Sequence, residues 1–480
     1  MKITLCAASL LAAVATPALS GPLFENIFED SQYKIGSETI VDGVEIYQDL
    51  EIITNGEITT ISELKLSPLD DLVRMTMTGV SLVEDGVSVG TFDTLEGLFN
   101  PAWTEGISNL PEGDLYEDLI NGKIDRTTCS EIDFPLSLSA TQGYFSGDDT
   151  AFDFGNLTLS YNIIDATDNC ILEFTTALSD VNFDDGDGFS FGADAIKMDM
   201  YASAFTEVAP RNLDDEYTAS AEINGMTFSM GGVEQLRVDR LYMDTKNDAS
   251  LMAAVIEAGF MAALADHAES VGATEIEDVL TMAMMGKMWN EMRKGDASGS
   301  FALDGVQITG QMPQAMTGLP ILSMGRTLDI TLDTQKSDEN VDTNINITSP
   351  GVVNLGLGLS VIMTELDPGF ENMHPSALMM SAPIAVSGLG VELLDEGLGD
   401  FIAETAGLDI YSDVPAMAEG MIGPHKAAKI KSWLSGAKQG GAYFMATPPT
   451  PMPIMQAFVG FMGDWETFGA MINAQAAAPQ

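Results

Sequence analysis

The sequence predicts an α+β protein that is mostly antiparallel β, a long curved sheet built from hairpins with an inserted helical hairpin and C-terminal helices. Two observations predict this class. Turn-forming Asp-Gly and Asn-Gly pairs recur directly before stretches in which apolar and polar residues alternate. Apolar residues at helical spacing occupy other stretches, over 248–294 and again after residue 395.

Five turn dipeptides each stand directly before an apolar, polar, apolar triplet. They are Asp42-Gly43, Asp85-Gly86, Asp187-Gly188, Asn224-Gly225 and Asp304-Gly305. Such pairs favour the positive backbone angles of primed hairpin turns, and period-2 alternation is typical of a half-buried strand. We therefore expect a hairpin at each of them.

Two longer stretches also alternate. The apolar positions of residues 152–163 change phase once, as a bulge at Gly155-Asn156 would cause. Residues 353–361 have aliphatic side chains on one face and mostly glycine on the other, which fits a tightly packed strand or the close approach of a ligand.

The helical stretches cover 248–269 and 274–294, separated by Gly272, and carboxylates interrupt both before they reach the length of a membrane span. Further helices are predicted over 395–406, from Pro424 toward Lys438, and over 454–472 after an extended Pro-rich segment. The predicted organisation is a signal peptide (1–20), a β-rich region (21–245), a helical hairpin (246–298), a β-rich region continuing the sheet (299–391) and a helical C-terminal region (392–480).

The first twenty residues have the pattern of a secretory signal peptide. Lys2 precedes an apolar run over 3–14, and Ala18-Leu19-Ser20 supplies small residues before Gly21. We expect cleavage after Ser20 and a periplasmic location, with secretion as the alternative.

The chain is strongly acidic, with 72 Asp and Glu against 20 Lys and Arg. This charge excludes a simple nucleic-acid-binding protein, which needs a basic surface, and it disfavours anionic membrane surfaces. The 45% hydrophobic content is nevertheless enough for a folded core.

Two cysteines follow the signal peptide, Cys129 and Cys170, and an exported protein can keep a disulfide. We expect them to pair. Two buried thiols or a metal pair are the alternatives, although two cysteines without a nearby histidine make a poor zinc site.

Carboxylates surround glycines at Asp184, Asp185 and Asp187, and calcium sites combine these residue types because the ion needs many oxygen ligands. The spacing is not that of an EF-hand. Calcium is therefore the one cofactor that the sequence suggests, and an acidic hairpin turn is the ordinary alternative.

A basic cluster occurs late in the chain, where Lys426, Lys429 and Lys431 lie close to Trp433. It could bind an anionic lipid head group or a protein partner. It could equally neutralise the acidic surface of the protein itself.

Gly86-Val87-Ser88-Val89-Gly90 matches the nucleophile pattern of α/β-hydrolases. That chemistry needs Ser88 on a strand-to-helix turn and a nearby histidine. Ser88 instead follows a predicted hairpin turn, and no sequence pattern connects it to any of the three histidines. A serine esterase is therefore only the second alternative function.

Residues 195–200 and 235–241 resemble the repeated amphipathic strands of AsmA-type and YdgA-type periplasmic proteins of Gram-negative bacteria. The resemblance covers 185–245 and 299–366. It implies a long curved sheet with one apolar face, a shape associated in that group with envelope lipids. Those proteins usually keep an N-terminal membrane anchor, whereas this signal peptide is predicted to be removed.

The function expected from these features is that of an exported, non-enzymatic periplasmic protein. Its apolar sheet face would bind a lipid or an envelope partner. A calcium-stabilised secreted or surface structural protein is the first alternative. We expect neither nucleic-acid binding nor an integral membrane protein.

Overall fold

The computed structural model describes residues 23–24, 32–54, 57–69, 72–84, 86–99, 135–147, 150–166, 169–203, 216–248, 289, 293, 295–310, 326–365, 384–453 and 474–477. The chain divides into two compact units, residues 1–234 and 235–480. The predicted signal peptide and Cys129 lie outside the described residues, and so does almost all of the predicted helical hairpin.

The first unit is an antiparallel sheet. Its strands are β1 (Gln32–Lys34), β2 (Ser37–Val41), β3 (Val44–Thr54), β4 (Glu57–Leu69), β5 (Leu72–Glu84), β6 (Val87–Phe99), β7 (Pro135–Ser146), β8 (Ala151–Ala166), β9 (Asn169–Asp184), β10 (Phe189–Ser203) and β11 (Glu216–Met230). From β3 to β11 each strand pairs with the next one along the chain. The short strands β1 and β2 both pair with β3.

The second unit contains a further antiparallel sheet and three helices. Its strands are β12 (Val233–Asp248), β13 (Ala297–Ile308), β14 (Leu328–Ser337), β15 (Asn340–Ser349), β16 (Val353–Met363), β17 (Ile384–Asp395), β18 (Ala442–Ala446), β19 (Met452–Pro453) and β20 (Ala474–Ala477). The helices are α1 (Leu398–Ala406), α2 (Asp413–Ile422) and α3 (Pro424–Gln439). Strands β12 to β18 pair in chain order, β19 pairs with β17, and β20 pairs with β18.

The prediction of a mostly antiparallel β protein is therefore confirmed. The region predicted as helical, 392–480, contains α1, α2 and α3 but also the strands β18, β19 and β20. The helix predicted over 454–472 lies outside the described residues. The boundary predicted at 245/246 falls inside β12, which continues to Asp248.

Three of the five predicted turn dipeptides lie between strands, at Asp42-Gly43, at 85–86 and at Asp187-Gly188. The other two predictions are wrong. Asn224-Gly225 lies inside β11 and Asp304-Gly305 lies inside β13, although both glycines do have positive φ angles, 62° and 65°. At Gly225 the positive angle accompanies a change of side-chain phase within the strand, and at Gly305 it accompanies a register shift between β13 and β14.

The start of α1 shows how local chemistry sets a helix boundary. Asp395 accepts the backbone N–H groups of Gly397 and Leu398 at 2.7 and 2.6 Å, and that of Gly399 at 3.3 Å. A carboxylate in this position satisfies amides that have no partner within the helix. The helix α3 begins at Pro424, whose missing N–H is tolerated in a first turn.

Candidate functional site

The apolar face of the first unit is organised in rows that run across the strands. One row, which we call the aliphatic row, has a member in every strand from β3 to β11, and neighbouring members are directly opposite in register. Its members are Tyr47, Leu64, Met77, Leu95, Ala140, Leu157, Leu178, Ile196 and Ile223. Direct cross-strand neighbours on one face pack against each other, so the row is continuous.

Next to this row, the alternation of side chains between the two faces of the sheet is interrupted once in every strand. In each strand two successive residues separate the aliphatic row from the next apolar position, whereas regular alternation would place one. The next positions form the crease row: Leu50, Ile61, Val80, Phe92, Gly143, Phe154, Val181, Ala193 and Met226. The register of each strand pair is the same on both sides of this point, so no residue is inserted.

Alternate strands make this change with a residue in the left-handed conformation. These residues are Asp49, Gly79, Gln142, Asp180 and Gly225, with φ between 50° and 62°. The phase change predicted in 152–163 is thus correct in place. The predicted cause, a bulge at Gly155-Asn156, is wrong. Strand β8 keeps its register with both neighbours and changes phase together with them.

The crease row is buried from β3 to β11, with Leu50 at 1% and Val181 at 2% exposed. A sheet that bends toward its apolar face buries the side chains on the inner side of the bend, and we infer that the first unit bends here. Gln48 and Asp49 of β3 are both exposed on the opposite face.

A third row is aromatic. Five phenylalanines in five consecutive strands, β7 to β11, lie directly opposite one another, and we call them the phenylalanine row. They are Phe145, Phe152, Phe183, Phe191 and Phe228. The ring centroids of Phe191 and Phe228 are 5.3 Å apart, and those of Phe145 and Phe152 are 6.4 Å apart, within the range of favourable ring contacts.

Burial along these rows differs between the two halves of the sheet. In β3 to β7 the aliphatic row is buried, with Leu64 at 0% and Met77 at 1% exposed. From β8 to β11 its members Leu157, Leu178, Ile196 and Ile223 are only half-buried. The phenylalanine row is half-buried too, and Met198, next to Ile196 on the same face, is 47% exposed.

In the second unit the three helices cover part of the sheet. Phe401 of α1 and Leu434 and Ala437 of α3 form one buried cluster with Val353 of β16 and Leu393 of β17. Farther along these two strands, Leu359 and Leu389 lie opposite each other and are each 39% exposed. The helices therefore cover one end of the apolar face and leave these two side chains accessible.

The glycines predicted to form a bare face are on the opposite side of β16. A Cβ atom at Gly356 or Gly358 would approach the side-chain oxygen of Asn346 or Asn344 to 3.4 Å. Both glycines thus lie beside asparagines of β15, which fits the tightly packed strand of the sequence analysis.

Basic side chains of the first unit are engaged with carboxylates. Each of the four that the structure describes forms an ion pair: Lys34 with Glu51, Lys65 with Glu63, Arg74 with Glu96, and Lys197 with Asp199. The hydrogen bond from Lys65 lowers the pKa of Glu63 below its ordinary value. The hydrogen bond to Asp199 raises the pKa of Lys197.

Of the predicted calcium ligands, Asp184 is the last residue of β9, and Asp185 and Asp187 lie in the turn between β9 and β10. Asp184 accepts the N–H of Gly186 at 2.8 Å, and Asp185 accepts those of Asp187 and Phe189 at 3.0 and 2.8 Å. Within the part of the chain that the structure describes, no group of three or more His, Cys, Asp or Glu side chains is arranged to hold a metal ion. The calcium site stays a prediction.

The basic cluster lies on α3, where Lys429 and Lys431 are exposed. Trp433 packs partly buried against the cluster formed by the helices and the sheet. Its indole ring therefore contributes to the core of the second unit, and the two exposed lysines remain as candidate partner-binding residues. The side chain of Lys426 lies outside the description.

The structure describes only some of the remaining predicted residues. Cys170 is in β9, but its side chain and all of Cys129 lie outside the description, so the disulfide stays a prediction. Ser88 is in β6 with its hydroxyl 3.0 Å from that of Ser81, on a strand and not on a strand-to-helix turn. His425 is exposed on α3, and His267 and His374 lie outside the described residues.

The phenylalanine row is the feature that sequence reasoning missed. A turn at 187–188 places Phe183 opposite Phe191, and the turn between β7 and β8 places Phe145 opposite Phe152. Counting outward from these turns would have found both pairs. Joining the pairs into one row requires the register between hairpins, which local sequence does not specify.

Among the described residues, no helix combines the length and the apolar character that crossing a membrane requires. In comparisons with known proteins, no family model and no curated protein matches the chain.

Proposed function

We propose that this protein is an exported, non-enzymatic binding protein that holds the acyl chain of a lipid against the apolar face of its first unit, over β8 to β11. The observation that carries the proposal is the half-buried state of the aliphatic and phenylalanine rows in these four strands. Contiguous apolar surface that remains accessible in a folded protein marks an interaction site.

The chemistry of the surface fits an acyl chain. Aliphatic and aromatic side chains offer no directional hydrogen bonds, and each methylene buried against them contributes about 0.8 kcal/mol. The crease row between the two open rows is buried and apolar, with Phe154 at 3% and Ala193 at 5% exposed. A ligand lying across the crease would thus contact apolar groups on both sides of it.

Export is supported by the signal peptide that the sequence predicts over residues 1–20. The lipid is supported further by the resemblance to AsmA-type and YdgA-type strands, which implies an apolar sheet face used for envelope lipids.

The test is extraction of the purified full-length protein with organic solvent, followed by mass spectrometry, together with titration of a fluorescent fatty acid. Two neighbouring substitutions on β11 form a matched pair. Phe228→Asn places an amide on the apolar face, whereas Ser229→Asn places the same amide on the opposite face, and both positions are half-buried.

We expect acyl-chain lipid in the extract and saturable fatty-acid binding that Phe228→Asn weakens about tenfold or more, whereas Ser229→Asn leaves it unchanged. Absence of bound lipid together with absence of fatty-acid binding would overturn the proposal. Equal loss in both variants would show that the apolar face is not the site.

The two alternatives make different predictions. A calcium-stabilised structural protein would lose thermal stability on addition of a chelator and would bind no fatty acid. A serine esterase would hydrolyse a short-chain ester, and Ser88→Ala would abolish that activity.

A further inference from the structure

The apolar face of the second unit carries an open row of its own. This row, which we call the second-unit row, crosses β12 to β17, and neighbouring members lie directly opposite in register. Its members are Met243, Phe301, Leu332, Ile345, Leu357 and Val391. Met243 is 46% exposed and the other members are half-buried, so the row is accessible along its whole length.

The same face changes from apolar to polar along the strands. In β14, Ile330, Leu332, Thr334 and Lys336 are alternate residues and therefore lie on one face, over a length of about 20 Å. All four are half-buried. The face thus offers an apolar track that ends at a hydroxyl and an ammonium group.

Two threonines form the first polar row beyond the second-unit row. Thr334 lies opposite Thr343 of β15, and their hydroxyl oxygens are 3.2 Å apart. In such a pair one hydroxyl donates to the other, and the proton of the second can be donated to another acceptor. Because the pair lies beside Leu332 and Ile345, that acceptor can be the polar end of a molecule whose apolar part covers the second-unit row.

Lys336 supplies a positive charge one row farther along. Among the described residues of β12 to β15 that share this face, it is the charged one. Its ammonium group donates to the carbonyl oxygen of Gly295, a contact that holds it at the end of the track. The carboxylate of Glu339, in the turn beyond β14, is paired with Arg293. The polar end of the face therefore suits an anionic group.

We propose that the second unit has a binding site of its own for a long-chain fatty acid. The acyl chain runs along β14 and β15 over the second-unit row. Its carboxylate accepts hydrogen bonds from the Thr334–Thr343 pair and from Lys336. The inference rests on the proposed function for the class of ligand, and it adds a second site, the direction of the chain and the identity of the head group.

The polar end favours a carboxylate over a phosphate. One ammonium group matches the single negative charge of a fatty acid, and the hydroxyl pair supplies a donor beside it. The fork of an arginine is the group that matches a phosphate with two hydrogen bonds, and the described positions of β12 to β15 on this face carry no arginine.

The first part of the test counts sites by titrating the full-length protein with a fluorescent fatty acid. We expect two equivalents, of which Phe228→Asn weakens one and Leu332→Asn the other, each about tenfold or more. Thr331→Asn is the matched control, because it places the same amide on the opposite face of β14 at a position that is also half-buried. It should leave both equivalents unchanged.

The second part tests the head group in the Phe228→Asn protein, which isolates the second site. Lys336→Met keeps an unbranched apolar stem and removes the charge. It should weaken the fatty acid about tenfold but leave competition by a fatty alcohol of the same length unchanged. Lys246→Met, which removes a lysine from the opposite face of β12, is the control and should alter neither.

The outcomes separate this site from the one in the first unit. A single equivalent that Phe228→Asn weakens and Leu332→Asn does not would overturn the second site and leave the proposed function standing. A single equivalent with the reverse response would support the second site while the proposed site over β8 to β11 fails. If wild type binds no fatty acid, both fail.

Two further results would also overturn the inference. Equal weakening of the acid and the alcohol by Lys336→Met would show that the ammonium group does not recognise the carboxylate. If Leu332→Asn leaves fatty-acid binding intact but lowers the mass measured by light scattering, the face binds a second copy of this chain instead of a lipid.

Discussion

Strands β3 to β7 and strands β8 to β11 share one aliphatic row on the same face, but only the first group buries its members of that row. Leu64 and Leu178 belong to one row, yet Leu64 is inaccessible and Leu178 is half-buried. The comparison shows that an alternating pattern determines which face of a strand is apolar. It does not determine whether anything covers that face.

The sharpest test of this comparison is truncation of the same side chain in both halves. Leu64→Ala should lower the free energy of unfolding by about 3 kcal/mol, because it leaves a cavity in a closely packed region. Leu178→Ala should cost about 1 kcal/mol, since its side chain already contacts water. Urea denaturation followed by circular dichroism measures both, and equal losses would contradict the difference in burial.

The crease row is common to both halves. Substitution of the left-handed residues beside it should give the next largest change in the free energy of unfolding. Gly79→Ala should cost about 2 kcal/mol, because φ at Gly79 is 59° and a β-carbon would also collide with the side chain of Ser62. Asp180→Gly, at φ 54° in the open half, should be neutral or stabilising by up to about 0.5 kcal/mol.

Gly97→Ala is the control for the Gly79 variant. Its φ is not positive, and a β-carbon there would meet its nearest neighbours at 3.7 Å, an ordinary contact. A loss at Gly97 as large as that at Gly79 would show that packing, and not the left-handed conformation, dominates.

A smaller loss of stability is expected at the turn between β9 and β10, within the open half. Asp185→Ala removes the acceptor of two backbone amides and should cost about 1 kcal/mol. Thermal denaturation with and without a chelator separates the two interpretations of this turn. The same loss in both conditions indicates a purely structural carboxylate, whereas a loss that the chelator abolishes indicates calcium.

The smallest effect concerns the ion pair of Lys65 and Glu63, 2.5 Å apart on the polar face of the covered half. Its hydrogen bond lowers the pKa of Glu63, so the pair stabilises the fold above the ordinary pKa of a glutamate, and the contribution is lost as pH falls through the lowered pKa. Because water reaches both side chains, which are only half-buried, we expect only about 0.3 kcal/mol.

Lys65→Met should raise the pKa of Glu63 toward its ordinary value in an NMR titration. Lys197→Met is the control, because Lys197 is paired with Asp199 within β10 and is remote from β4. It should leave the pKa of Glu63 unchanged. An unaltered Glu63 pKa in Lys65→Met would contradict the assigned cause.

The sequence predicts the class of the fold and most turns because these depend on local chemistry. Asp42-Gly43 reverses the chain since both residues adopt positive φ angles, 52° and 82°. Asn224-Gly225 has the same local signal but lies inside β11, because its neighbours in β10 change phase at the same place. The sequence of a single strand therefore cannot distinguish an Asn-Gly or Asp-Gly pair that forms a turn from one that forms part of a crease across several strands.

The candidate site is less predictable for the same reason. The alternation around Phe189 and Phe191 is visible in the sequence, but the phenylalanine row depends on pairing between hairpins. Trp433 illustrates the opposite error: its neighbouring lysines suggest a surface role, whereas the helical arrangement turns the indole into the core of the second unit. The burial of Glu45 could not be predicted from the sequence pattern, because its carboxylate accepts hydrogen bonds from the backbone of Leu23 and Phe24, which are distant in sequence.

The constant register across the crease also limits how such a protein can change during evolution. Adding or removing one residue within any strand from β3 to β11 would displace its phase change relative to both neighbours and turn its apolar side chains to the wrong face. Length variation is therefore confined to parts of the strands away from the crease, as at the register shift between Leu82 and Val83, and to the connections between strands. The sheet can be extended or shortened only by whole hairpins, each of which must have its phase change at the same distance from the turn.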